Sequence, residues 1–282
     1  MSYNKKLMLC ISILTLLAIA VYAQPLHAST LDRAEIMELY NQARESFRQA
    51  NELSSTNPEA ADDLYRKAVM RFETIVRKGG IQNGELFYNI GNVYFKMGDI
   101  GRAILNYKRA GHFIPNDPNL IQNYRSAKAR RMDRIEEPQQ KRVLKTLFFW
   151  HYDFSTATRV IIFTVFFVFL WLAAILKLFI SRQYLTWLIV FASIVSILFS
   201  GSLLTDFLYQ QKYRQGVIIS PEVIARKGNS IAYEQSFKEP LHAGTEFILI
   251  EERENNWYQI ELTDSRRCWI PAEDAEFVIL SQ

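Results

Sequence analysis

The chain is short of the residues that most often carry chemistry. Among 282 residues there are two cysteines and four histidines. Cys10 falls inside the N-terminal apolar run, so removal of that run leaves Cys268 without an intrachain partner, and a disulfide framework is excluded. His27, His112, His151 and His242 lie in four separate segments with no metal-ligand spacing. No phosphate-binding glycine loop, no G-x-S-x-G elbow and no carboxylate pair in a catalytic setting occurs. Asp62-Asp63 and Glu251-Glu252 are adjacent pairs of the kind found on solvated faces. The expectation is therefore a protein that is not an enzyme, with no catalytic residue, no metal and no cofactor.

Charge is missing from two further places. Residues 160–176 and 183–205 hold no Asp, Glu, Lys or Arg. Elsewhere it is plentiful, with a net +2 over 31–137, +6 over 138–215 and −6 over 216–282. The basic excess sits beside the apolar runs and not on a reading face, so nucleic acid is not an expected partner.

The two charge-free runs predict membrane helices over 160–180 and 184–205, joined by the tight turn Ser181-Arg182-Gln183. Ala192, Ser196 and Ser200 recur every four residues and predict a close helix–helix seam. Lys5 and Lys6 followed by the apolar Leu7–Val21 run and Ala23 read as a signal peptide over 1–23, cleaved before Gln24, with an uncleaved anchor as the alternative. Leu9 before Cys10 is too bulky for a lipoprotein signal. An exported start and an even number of spans put both soluble parts outside the cytoplasm of a bacterial inner membrane, in the periplasm. Lys177 and Arg182 agree with this under the positive-inside rule, whereas Lys141, Arg142, Lys145 and Arg159 in the basic linker 138–159 oppose it.

Residues 84–117 form a 34-residue unit that resembles the tetratricopeptide repeat. Phe87, Ile90, Gly91, Tyr94, Gly98, Ala103, Tyr107, Ala110 and Pro115 follow that repeat's small/large pattern. In this reading Gly91 and Ala103 let two helices cross closely, the tyrosines fill between turns, and Pro115 ends the second helix. One unit cannot bury its apolar face alone. A helix from about Asp32 to Leu53 and another carrying Tyr65, Ala68, Phe72 and Ile75 precede it. A polar capping helix over Leu120–Ile135 follows, with Ala127 and Met132 inward and Arg125, Arg130, Arg131 and Arg134 solvated. The repeat domain thus covers 31–137. Asn89 and Asn123 stand 34 residues apart, in equivalent positions on the groove side of first helices, and Asn92 and Lys96 follow Asn89 on roughly the same side. These four are the candidate peptide-binding residues, the amides for a peptide backbone and Lys96 for a carboxylate; local backbone capping is the competing role for the asparagines.

Beyond Gly216 the pattern alternates, with strands at 247–251, 257–263 and 268–270 and short turns between them. This predicts a small β-barrel over 216–282. It resembles bacterial SH3 domains through Arg226, Gly228, Leu241, Gly244, Trp257 and Trp269-Ile270-Pro271, with Cys268 where relatives often have Gly. Trp257 and Trp269 are read as core or groove wall before ligand platforms, and Cys268 as a small buried filler. The fold class is a multidomain membrane protein: all-α repeats, a two-helix hairpin and a small all-β SH3-like barrel.

The order of signal, repeats, hairpin and SH3-like module, with the basic stretch Asn123-Tyr124-Arg125 to Ile135-Glu136 after the repeat, resembles the BatE family of the Bacteroides aerotolerance operon. That resemblance implies a scaffold role beside membrane-anchored von Willebrand A-type proteins and a MoxR-type ATPase, in stress and oxygen tolerance. The alternative is a cell-wall sensor whose SH3-like module binds peptidoglycan; its −6 charge disfavours anionic glycan but suits amine-bearing stem peptides.

Overall fold

The computed structural model describes residues 30–133, 135, 148–180, 182–253 and 256–279, with the side chains of 210–212 left aside. The expected signal peptide, residues 138–147 of the basic linker, Arg134, Glu136, Glu137, Ser181, Glu254 and Asn255 lie outside the described residues.

Five helices make the repeat body: α1 (Arg33–Leu53), α2 (Pro58–Arg77), α3 (Gly84–Met97), α4 (Ile100–Gly111) and α5 (Pro118–Arg130). Each begins on an acidic or amide side chain that accepts a backbone N–H two or three residues inside the helix: Asp32, Asn57, Asn83, Asp99 and Asp117. Asp32 and Glu35 form a reciprocal capping box. Gly98 ends α3 with φ 80°, a left-handed turn that allows α4 to start two residues later. Tyr65, Ala68, Phe72 and Ile75 of α2, and Phe87, Ile90, Ala103, Tyr107 and Ala110 of the 34-residue unit, are all buried in one cluster. A Cβ on Gly91 would stand 2.6 Å from the Tyr107 ring, so α3 and α4 cross there only because the side chain is missing.

Two features differ from the sequence reading. Helix α4 stops at Gly111, so Pro115 follows in the loop and is not its terminator. Helix α5 stops at Arg130, and Met132 beyond it is exposed at 72% while Ala127 is fully buried. The inward spacing ends with the helix.

A four-residue helix α6 (Phe149–Tyr152) leads into α7 (Thr156–Lys177), and α8 (Gln183–Lys212) returns antiparallel to it. Both α7 and α8 are long and apolar enough to cross a membrane. α8 does not end at Asp206 but continues to Lys212. The inward face of α8 carries Leu185, Ala192, Ser196, Phe199 and Ser202, all buried, whereas Ser200 is exposed. The seam therefore follows a seven-residue repeat, Leu185–Ala192–Phe199, and not a four-residue one. Continued by seven, it reaches Asp206. On α7 the same interval runs Arg159, Phe166, Ala173, and the Arg159 guanidinium meets the Asp206 carboxylate. Arg159 is 4% exposed, so it is an internal ion-pair partner and not a free flanking charge.

The C-terminal part is strand-rich. Strands β1 (Arg214–Ile218), β4 (Glu246–Arg253), β5 (Trp257–Leu262), β6 (Arg267–Pro271) and β7 (Ala275–Phe277) form an antiparallel sheet in the order β6-β5-β4-β1-β7, and β2 (Glu222–Val223) pairs with β3 (Leu241–His242). The sheet does not close between β6 and β7. Arg226 bridges to Trp269 at the β6 edge. Trp269 is buried and Trp257 half-buried, while Cys268 is packed in the apolar core, where burial pushes its thiol up to about 12.

The repeat body and the sheet share a core. Val217 and Val278 belong to the same buried cluster as the repeat helices. A Cβ on Gly101 would lie 2.9 Å from the Ile218 carbonyl oxygen, so α4 rests directly on β1.

Candidate functional site

The first helices of the repeats, α1, α3 and α5, line one side of the body, and the four candidate residues lie on them. Asn89 donates to the Tyr40 hydroxyl at 3.3 Å, and Asn123 donates to the Tyr88 hydroxyl at 3.0 Å. Equivalent asparagines thus reach back to a tyrosine on the preceding first helix, which ties the array together from repeat to repeat. Asn92 accepts from Asn123 at 2.9 Å and from the Tyr107 hydroxyl at 2.8 Å. The bonds run to side chains of neighbouring helices and not to local backbone. Lys96 is exposed at the end of the same helix. So the structure brings Asn92 and Asn123 into contact, places Asn89 in the next rung, and leaves Lys96 apart.

Tyr40 also donates to Glu85 at 2.6 Å. Burial first, then that carboxylate, push its hydroxyl up to about 12, so it stays a neutral donor. Between α1 and α3 lies a cleft of about 450 Å³ walled by Asn41, Arg44, Arg48, Asn51 and Asn89 over the Phe72 ring. Arg48 pairs with Glu45 at 2.6 Å and with Glu52, which holds it across the cleft wall. Guanidinium and amide groups over an aromatic floor can hydrogen-bond an extended backbone and meet an acidic side chain. The sequence reading missed Tyr40, Arg44 and Arg48, because the long α1 and its loop hide their register relative to the 34-residue unit.

Opposite charges hold the sheet against the helices. Glu246 of β4 is buried, with Lys108 at 3.3 Å, Arg131 at 3.7 Å and the Tyr124 hydroxyl donating to it. Burial alone would raise its pKa; Lys108, Tyr124, Lys128 and Arg131 outweigh that and hold it below the usual range. Arg109 donates to the Phe277 carbonyl at 2.8 Å and lies 3.5 Å from Glu276. Asp133 accepts from the His242 N–H at 2.7 Å and from the Thr245 hydroxyl, bonds that outweigh its burial and lower its pKa. Arg131 is thus a docking residue and not a solvated one, and Arg130 stacks 4.2 Å over the Phe95 ring.

Because the folded pKa values of Asp133 and Glu246 are depressed, they add stability above the ordinary carboxylate range, about pH 4, and lose it as pH falls through the lowered values. The melting temperature of the full chain should accordingly drop as pH falls below about 4, and the drop should shrink in Asp133→Asn. A melting temperature that does not change between pH 5 and pH 3 contradicts this docking arrangement.

Among the described residues no three His, Cys, Asp or Glu side chains converge to hold a metal ion. Residues 84–110 match the family model of the tetratricopeptide repeat. With the helical body around it, this makes the chain a tetratricopeptide-repeat-containing protein, and such repeats are protein-interaction modules. No curated protein matches the chain.

Proposed function

We propose that this protein is a non-catalytic, membrane-anchored scaffold that binds an extended segment of a partner protein along the α1–α3–α5 face. The observation that carries the reading is the cleft between α1 and α3, where Arg44, Arg48 and Asn89 surround Phe72, with Asn89 contributed by the matched repeat and the others by the helices before it. The α7–α8 hairpin is the anchor, and both soluble parts lie on its outer, periplasmic side; an export reporter fused after Gln282 is active only in that orientation. The strand-rich part is read as an SH3-like module with an open sheet, seated on α4 through β1. The order of modules favours a Bat-type setting with von Willebrand A-domain proteins anchored in the same membrane. The cell-wall reading is the weaker one, since Glu246 and Glu276 are already spent on the repeat body.

Arg44 and Lys96 are exposed, so their reversal leaves the core intact. Arg44→Glu combined with Lys96→Glu should reduce partner co-purification from native membranes several-fold, with unchanged far-ultraviolet circular dichroism. Full partner recovery with the double variant defeats the groove reading.

A further inference from the structure

Residues 148–154, which hold α6 and lead into α7, carry five aromatic rings: Phe148, Phe149, Trp150, Tyr152 and Phe154. Their burial is inside out. The imidazole of His151 turns into the protein, with its Nδ1 2.9 Å from the Ser202 hydroxyl and 3.2 Å from the Arg159 guanidinium. Arginine can only donate, so this ring nitrogen accepts. Its Nε2 faces Asp206 at 3.4 Å. The rings beside it are left outside: Phe148 is 40% exposed, Phe149 52% and Tyr152 42%. A segment of this composition in water would bury its rings and leave the imidazole out.

The exposed rings are also held in place. Phe149 stands edge-on to Trp150, with 5.4 Å between ring centroids, and to Phe154 at 6.5 Å. Phe154 in turn stacks at 6.3 Å on Phe199 of the hairpin seam. The His151 bonds and this stack build the segment onto the hairpin, and the outward rings form an apolar patch continuous with the exposed side chains of Val160 and Ile161 on α7. Such a patch marks an interaction surface.

Depth selects what covers it. The 22 residues of α7 rise about 33 Å, close to the roughly 30 Å of a hydrocarbon core, so Thr156 stands at the core's edge. Helix α8 agrees: past Asp206 it still exposes Phe207, Leu208 and Tyr209, and the pairing of Arg159 with Asp206 sets Tyr209 level with Thr156. Helix α6 ends four residues before Thr156 and so falls in the headgroup layer, where tyrosine, tryptophan and their aromatic neighbours are favoured. We infer that residues 148–154 are a membrane-surface foot whose Phe148, Phe149 and Tyr152 rings lie among the lipid headgroups and upper acyl chains. Asn116 of the α4–α5 loop donates to the Asp153 carbonyl at 2.6 Å, so the foot also ties the repeat body to the bilayer surface. The inference rests on the membrane-anchor reading above and not on the groove reading.

The test places benzoylphenylalanine, a photoreactive aromatic residue, singly in the full chain, reconstituted alone in phosphatidylcholine vesicles. Positions 149 and 152 report on the foot, Val165 in the middle of α7 reports on the anchor, and Met70 on α2 is the control; all four are exposed, so the larger side chain enters no core. After irradiation, mass spectrometry should find phosphatidylcholine adducts at 149, 152 and 165 and none at 70. Because the outward rings carry no charge, adducts at 149 and 152 need no anionic lipid. Adducts at 165 with none at 149 or 152 sink the foot and leave the anchor standing. No adduct at 165 sinks the anchor, and the foot with it. A crosslink between two copies of the chain from 149 or 152 assigns the patch to self-association and overturns the inference, as does lipid labelling at 70 equal to that at 149.

Discussion

Glu246→Ala is expected to destabilise the folded body by about 3–5 kcal/mol, the usual cost of removing one partner from a buried charge cluster. The carboxylate is 7% exposed, and the side chains of Lys108 and Arg131 that face it are only 18% and 15% exposed. Without it, Lys108 on α4 and Arg131 beyond α5 face each other with no carboxylate between them, and the Tyr124 hydroxyl loses that bond. The damage should not stay in the sheet, because Val217 and Val278 complete the repeat core. Circular dichroism at 222 nm, which reports helices, should therefore melt at a clearly lower temperature. If only the sheet's tryptophan signal shifts while the helices of the body melt as before, the two parts are independent and the shared core is wrong. For the same reason, deletion of 216–282 is not a clean test of partner binding: it strips α4 of its cover.

Gly91→Leu should cost about 1–3 kcal/mol through overpacking, at the upper end of that range. The nearest obstacle is the Tyr107 ring, 2.6 Å from where a Cβ would stand. That ring is 1% exposed, and its hydroxyl is fixed on Asn92, so it cannot swing aside. Loss of the α3–α4 crossing also pulls Asn92 from Asn123, coupling the packing to the groove face. Denaturant titration of the full chain should show a lower midpoint with a similar slope. An unchanged midpoint would mean that the register of the repeat is misassigned.

What was legible in the sequence is what depends on short spacing. The Gly91–Tyr94–Ala103–Tyr107 pattern and the strands around Phe247, Trp257 and Trp269 rest on spacings of a few residues, and each appears in the fold close to its expected place. The asparagine equivalence was legible too, but not its partners: Tyr40 lies 49 residues before Asn89 and Tyr88 lies 35 before Asn123. That mismatch comes mostly from the longer α2, 20 residues against 12 in α4, with smaller additions from α1 and its loop. The docking of the sheet was invisible, because it joins Arg109 to Phe277 and Asp133 to His242 across the length of the chain. Charge counting did hold the clue, since the acidic C-terminal part meets basic side chains of α4 and the end of α5. Counting net charge by segment could not tell a partner outside the chain from one within it. Arg159 was read only as a flanking positive charge, whereas its seven-residue spacing with Phe166 and Ala173 already placed it on the inner seam.

Site-specific photocrosslinking in native membranes tests the groove most directly. A photoreactive residue at Arg44 faces the cleft, one at Met70 sits on the exposed side of α2, and one at Ile231 lies on the far surface of the strand-rich part. The scaffold account predicts a discrete protein adduct from position 44 and none from 70 or 231. Adducts from position 231 with none from position 44 would contradict it and assign recognition to the strand-rich module.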